Sequence, residues 1–295
     1  MYAEARPEPN NSLAAILAKV GEIAAMPQVV YKIIELTGTT ATSAQAIEDA
    51  ISLDPGFSSK VLILANSAFY ALPRRVTSIR EAATFMGYKT IRQLAMTVGV
   101  FDMFVGKNDS GSLRKRTWWR HSVDAAVCAK VLAKNSAHVD PEDAYSCALL
   151  HDVGKSLLDR ATQGEYVQVE ELIATGMSAV DAEKQVFGCT HMELGAASAA
   201  RWNLPQMIID SIAMHHGNAS GDFSYHVAVT CIASEFAHQI VEGRKAVDES
   251  AAEESAQRVW ASEWAMSILG FSNEKLEQIY RECKTAITQR TGMAM

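Results

Sequence analysis

The 295-residue sequence contains no run of about eighteen apolar residues, so no membrane-spanning helix is expected. Residues Met1 to Asn11 carry Glu4, Arg6 and Glu8 and no apolar core, which predicts neither a secretion signal nor an anchor. Cysteine is scarce and its spacing is wrong for a disulfide framework. Cys128, Cys147, Cys189, Cys231 and Cys283 are odd in number and include no CxxC pair, which predicts reduced thiols acting as small hydrophobes in a reducing cytoplasm. Positive charge is also short. A formal net charge of −7 argues against a nucleic-acid partner. The densest basic run, Arg114-Lys115-Arg116 before Trp118-Trp119-Arg120, could grip a phosphate. It reads more naturally as a solvated helix start with its tryptophans turned inward.

Long alternating stretches are missing as well, which removes any confident β-strand. The cluster Val227, Val229 and Thr230 comes closest, but its apolar residues continue at helical spacing through Ile232, Phe236 and Ile240. There is no internal repeat and no low-complexity tract. What remains is helix after helix, so the expected class is all-α. Leu13, Ile16, Leu17, Val20 and Ile23 share one face, and Pro27 opens a segment carrying Val30, Ile33, Ile34 and Leu36. Asp54-Pro55 and Asp140-Pro141 each pair an N-cap with proline at the first helical position. Ser78 with Glu81, and Thr190 with Glu193, have capping-box spacing. Leu204-Pro205 ends one helix and opens another.

The turn-rich segment Gly106 to Ser112 predicts a boundary between an N-terminal lobe (12–105) and a C-terminal lobe (113–245). An acidic, alanine-rich stretch from Glu242 to Glu254 precedes two final helices (246–295) with Trp260, Trp264, Ile268, Leu276 and Ile279, expected to pack on the main body.

Of the eight histidines, five stand in suggestive contexts with one aspartate. His121 lies in RHSVDAAVCAKVL, His151 and Asp152 in ALLHDVGKSLL, His191 in GCTHMELGAASAARW, and His215-His216 end PQMIIDSIAMHHG. Adjacent side chains on a regular helix diverge by about 100°, so His151 and Asp152 need a helix end or bend to share an ion, and Gly154 could supply it. Imidazole and carboxylate together suit a divalent ion among Fe, Mn, Co, Ni and Zn. Such an ion can acidify water for attack on a phosphoryl group, with Lys155 neutralising charge beside it. Taken singly, each histidine is more often a cap or a core hydrogen-bonder; together with HDVGK they are unlikely by chance.

These residues resemble the HD superfamily of metal-dependent phosphohydrolases and, more closely, its HDOD group, the HD-related output domain of bacterial signalling proteins. MPQVVYKIIEL, the block AIEDAISLDPGFSSKVLILANSAFYALPRRVTSIREAATFMGYKTIRQLAM, WWRHSVDAA, ALLHDVGKSLL, HMELGAASAARWNLP and SIAMHHG follow that pattern in order. The resemblance runs from about Met26 to His238 and leaves the final helices uncovered. It implies an all-α, two-lobed fold and a regulatory role, with no generally demonstrated catalysis.

Active HD enzymes close their metal site with a later aspartate. Here Ser234 is expected at that position, with Glu235 one residue out of phase. The Gly-Tyr-Pro signature of cyclic-di-GMP phosphodiesterases is absent; Gly87-Tyr88 lacks the proline and falls in the wrong lobe. Asn66, Ser67 and Arg80 could wall a cleft between lobes. The structural alternative, which fits better, makes Asn66 a helix C-cap and Arg80 a solvated helix residue. The expectation is a cytoplasmic regulatory protein with a degenerate site, binding a signalling protein or a small phosphate-containing ligand. The alternative is a phosphohydrolase acting on a nucleotide or related ester, with Asp152 and Lys155 in its catalytic centre. Oligomeric state is not legible.

Overall fold

The first part of the chain forms α1 (Leu13–Ile23), α2 (Gln28–Thr37), α3 (Ala44–Ser52), α4 (Pro55–Ala65), α5 (Ile79–Met86) and α6 (Tyr88–Val105). The structure is a computed structural model that describes residues 13–23, 27–37, 43–67, 70, 72–105, 113–217, 221–249 and 260–289. The Asp54 carboxylate accepts the Phe57 amide at 3.0 Å and Pro55 occupies the first turn, so α4 starts where the Asp-Pro pair demands. Ser78 caps α5 through the Glu81 amide, but Glu81 accepts from the Thr77 amide at 2.8 Å, one residue beyond the N-cap amide that a true capping box uses.

Asn66 is the C-cap of α4. Its amide donates to the Leu62 and Val76 carbonyls, both at 2.9 Å, and its oxygen accepts the Val76 amide at 2.8 Å. It therefore pins the returning chain against the helix end, a structural role. Ser67 continues the same turn, its amide donating to the Leu64 carbonyl at 3.1 Å. Arg80 is not merely solvated: its Nε donates to Glu48 at 2.8 Å and ties α5 to α3.

After residues 106–112, which lie outside the described residues and include the expected boundary segment, come ten more helices. These are α7 (Leu113–Lys134), α8 (Pro141–Leu150), α9 (Val153–Ala161), α10 (Tyr166–Ala174), α11 (Ala179–Phe187), α12 (His191–Arg201), α13 (Gln206–Met214), α14 (Ser224–Glu249), α15 (Glu263–Leu269) and α16 (Asn273–Gln289). No strand occurs among the described residues, and the segment after Val227 is helical as its spacing predicts. No helix among them is long and apolar enough to cross a membrane.

α7 is the axis of this region. It packs against α8, α14 and α16, so every residue from Ser122 to Ala129 is buried. A helix enclosed on all sides needs small side chains where neighbours approach, and Ala125, Ala126, Cys128 and Ala129 supply them. The basic run at its start departs from expectation. Lys115 is buried and pairs with Asp159 at 3.2 Å, while Arg114 bridges Asp159 (2.7 Å) and Glu170 (2.9 Å). A buried ammonium must find an anion, and Asp159, forty-odd residues away, gave no sign of its position in the sequence. Trp119 is buried and Trp118 half-buried, as expected.

α6 contacts α2, α4 and α5 on one side and α7, α8 and α9 on the other. Polar bonds hold that second contact: Arg92 pairs with Asp143, Lys89 with Asp140 at 2.7 Å, and the Thr97 and Tyr145 hydroxyls meet at 3.1 Å. α1 lies on α9 and α12, where Arg201 donates to the Leu17 carbonyl at 2.9 Å. At the other end α15 packs on α14 and α16 on α7. Trp260 precedes α15 rather than belonging to it and is 53% exposed, while its carbonyl accepts from Gln239 at 2.8 Å. All five cysteines are buried thiols outside any disulfide.

Candidate metal centre

The His-Asp pair sits on a break between helices. α8 ends at Leu150, His151 is its C-cap, and Asp152 at φ −101°, ψ 8° leaves the helix before α9 begins. That break turns both side chains to one place, which a continuous helix would forbid. Gly154 does not make the bend; it lies inside α9. Its role is proximity. A Cβ there would stand 1.9 Å from the His191 carbonyl oxygen, so glycine lets α9 lie directly against the start of α12. α12 itself is fixed by the full capping box of Thr190 and Glu193.

The histidines singled out as ligands, with Lys155, converge on the Asp152 carboxylate. On its Oδ2 side stand His151 Nε2 (3.4 Å) and His121 Nε2 (3.7 Å), with Lys155 Nζ at 2.6 Å. On its Oδ1 side stand His191 Nε2 (3.4 Å) and His215 Nε2 (3.6 Å), themselves 3.3 Å apart. His216 completes this second group, so two sets of ligand atoms share one carboxylate: Asp152 with His191, His215 and His216, and Asp152 with His121 and His151.

The far side of each inner ring decides its tautomer. His151 Nδ1 lies 2.6 Å from the Ala148 carbonyl, His215 Nδ1 2.9 Å from the Ile212 carbonyl, and His191 Nδ1 2.7 Å from Glu183 Oε2. An oxygen acceptor at hydrogen-bond distance requires the proton on Nδ1, so Nε2 is the atom each ring turns toward Asp152. Nε2 is thereby the atom offered to a cation lying between the rings and the carboxylate. His151 Nε2 and Asp152 Oδ1 have no hydrogen-bond partner although both are buried. Burial favours the neutral form of Asp152, but His151 and Lys155 outweigh it and hold the carboxyl well below the usual range. Burial drives His121 and His215 down to about 3, so both are neutral donors near pH 7. Imidazole nitrogens around an ionised carboxylate are the donor set of a borderline divalent ion, and the cluster could hold one.

Ser234 borders the site as expected, its hydroxyl 3.1 Å from His121 Nε2. Glu235 points away: its carboxylate accepts the Ser262 amide at 3.0 Å and anchors the start of the C-terminal helices. His216 is exposed and opens onto a groove of about 560 Å³ lined by Ser178, Val180, Met192, Met214 and Gly217. That is room for a small ligand beside the centre. Glu183, on α11, was not singled out in the sequence; nothing in the local pattern there marks which way it faces.

The buried rings set a pH dependence. His121 faces Asp152, His151, Lys155 and His238, and His215 faces Asp152, His151 and His191. Above about pH 6.5 the two rings are neutral in folded and unfolded chain alike. Below it the unfolded chain takes up protons the fold refuses down to about 3, so stability falls as pH drops, by about 1.4 kcal/mol per pH unit for each ring. With chelator present, melting temperature should be level from pH 8 to 7 and decline steadily from 6.5 toward 4. A level profile down to pH 5 would show that the rings protonate within the fold.

Residues 23–218 match the model of the HDOD domain. The crystal structure of an HDOD domain protein with unknown function from Geobacter sulfurreducens superposes with a TM-score of 0.75 at 26% identity, covering 96% of this chain and 98% of that one. An uncharacterized protein of Treponema pallidum (strain Nichols) is 26% identical over 229 residues, 75% of this chain and 42% of its own length. Ribonuclease Y of Thermus thermophilus is 26% identical over 227 residues, 73% of this chain and 34% of its own length. The chain thus spans less than half the length of these curated relatives.

Proposed function

Because the chain belongs to the HDOD domain family, we propose that it is a regulatory protein whose histidine–aspartate centre binds a divalent ion and serves recognition of a signalling partner or a small phosphate-containing ligand rather than rapid turnover. The observation that carries this is Ser234. It stands beside His121, at the position where the resemblance to HD enzymes leads one to expect an aspartate, and the two ligand groups contain one carboxylate, Asp152. A hydroxyl is a poor replacement for an anionic ligand. An ion held at one corner by a neutral group is held loosely, and a displacement of about 1 Å from attack geometry costs on the order of a hundredfold in rate.

When bound, the ion supplies Lewis acidity toward a phosphate oxygen and toward water. The chain's own contributions are separate from that. His121, His151, His191, His215 and His216 present imidazole nitrogens, Asp152 presents the charge, and Lys155 holds Asp152 in place while keeping an ammonium beside any incoming phosphate. The methionine-lined groove at His216 gives a ligand its route from solvent.

A second reading is a metal-dependent phosphohydrolase. It is favoured by the two ligand groups that share Asp152, an arrangement suited to two ions clamping one phosphate, and by a relative whose name is that of a ribonuclease. Purified protein from Fe- and Mn-supplemented growth, tested for metal and on a panel of nucleotides, phosphodiesters and RNA, separates the two. We expect bound divalent metal, turnover weak or absent, and tighter metal binding in Ser234→Asp by about tenfold or more, since a charged ligand replaces a neutral one. Robust turnover that is lost in Asp152→Ala would replace the regulatory reading with the enzymatic one.

A further inference from the structure

Glu183 is fully buried, and among the described residues no lysine or arginine forms an ion pair with it. All its close partners lie along one line. Its Oε1 accepts from the Tyr166 hydroxyl. Its Oε2 accepts twice from His191, from the backbone amide at 2.8 Å and from ring Nδ1 at 2.7 Å. An ionised carboxylate taken wholly out of water is costly unless a positive charge compensates it. None stands on its own side; what lies beyond the His191 ring is the Asp152 cluster.

A charge count over the cluster points the same way. Asp152 and Glu183 bring two negative charges, and Lys155 brings one positive charge. Among these fixed charges the negative ones exceed the positive by one, beside the Nε2 atoms that face Asp152.

Building on the metal-centre reading, we propose that Glu183 is the second carboxylate of this centre, a positioning residue that acts through His191 and replaces part of the charge missing at Ser234. Its hydrogen bond fixes the Nδ1–H tautomer and pushes electron density onto Nε2, so a nominally neutral ligand behaves as a partly anionic one. The same carboxylate oxygen also accepts the His191 backbone amide and locks the start of α12, so charge and geometry are set by one side chain. His151 and His215 lean on backbone carbonyls instead, which orient a ring without adding net charge. His191 is thus expected to be the strongest imidazole donor of the set. Tyr166 serves Glu183 rather than the centre: it satisfies the oxygen that His191 does not use.

The test is titration of the full-length, metal-stripped protein with Mn²⁺ and Zn²⁺, alongside the ring-proton NMR signals of ¹⁵N-histidine-labelled protein. Glu183→Gln keeps the shape and removes the charge, and should weaken divalent binding about tenfold to a hundredfold. Tyr166→Phe leaves the carboxylate on His191 and should stay within about threefold of wild type, because it removes a partner of Glu183 and no part of the relay. In metal-free wild type the His191 Nδ1 proton should appear far downfield, and it should move upfield in Glu183→Gln. Equal weakening in both variants would reduce Glu183 to a packing role and overturn the proposal. Wild-type affinity in Glu183→Gln would overturn it too, with the metal centre left standing. If wild type binds neither ion, the metal-centre reading falls and takes this one with it. Should Glu183→Gln fail to fold, the wild-type spectrum still decides, since a His191 ring without a proton on Nδ1 contradicts the relay.

Discussion

Gly154→Ala should lower stability by about 3 kcal/mol or more, the upper end of what overpacking a tight contact costs, and should abolish divalent binding. The new methyl group would lie 1.9 Å from the His191 carbonyl oxygen, 2.7 Å from its carbon and 2.9 Å from its Cα. All three are backbone atoms, so no rotamer change relieves the clash and α9 must move off α12. Across the same contact Gly195 has little more room: a Cβ there would meet Ile212 Cγ2 at 2.8 Å and the Gly154 amide at 3.3 Å. Since α9 carries Asp152's cap position and Lys155, while α12 opens with His191, separating the helices pulls the centre apart. For a chain of this size the loss corresponds to a melting temperature lower by roughly 6–12 °C. Gly217→Ala is the control: nothing lies within 4 Å of a Cβ there, so a change within about 0.5 kcal/mol is expected. A Gly154→Ala protein that melts and binds metal like wild type would mean that the helices can part without disturbing the site.

Asp152→Asn should remove the thermal stabilisation that divalent ions confer on wild type. A ligand that binds only the folded state adds about 2.7 kcal/mol at a hundredfold excess over its dissociation constant. That increment depends on a charge at the point shared by both ligand groups. Asparagine preserves volume but is neutral, so it withdraws the one charge that both ligand groups share. Lys155 also loses its partner at 2.6 Å, but its side chain is 16% exposed and can turn to water, so the metal-free protein should fall by less than the 3–5 kcal/mol typical of a broken buried pair. Melting curves of both proteins, with chelator and with excess Mn²⁺ or Zn²⁺, give the comparison directly. A metal-induced rise retained in Asp152→Asn would place the ion elsewhere.

Much of this was readable before any coordinates, for local reasons. Asp54-Pro55, Asp140-Pro141 and the Thr190–Glu193 box mark helix starts because a cap is a contact within three residues, and each stands where it was expected. The helical class follows from spacing, including the stretch after Val227. The six ligand candidates were recognisable because imidazole and carboxylate are rare in apolar helices unless something holds them, and all six meet. Ser234 was placed by the resemblance to HD enzymes, and one hundred degrees of helix rotation sends it toward His121 and its neighbour Glu235 toward Ser262.

What the sequence could not supply were partners set by packing between helices distant along the chain. Lys115 looked solvated until Asp159 of α9 came beside it, and Arg80 looked free until α3 brought up Glu48. Gly154 suggested a bend, because a glycine's local licence is conformational; only the neighbouring α12 shows that its use is the missing Cβ. Glu183 carried no signal at all, since its meaning depends on α11 delivering it to the back of His191. Periodicity and capping, which act over a few residues, determined the elements and the donor types. The tertiary fold decided which charges are buried and which proton each imidazole keeps, because those depend on distances across the bundle that no local pattern encodes.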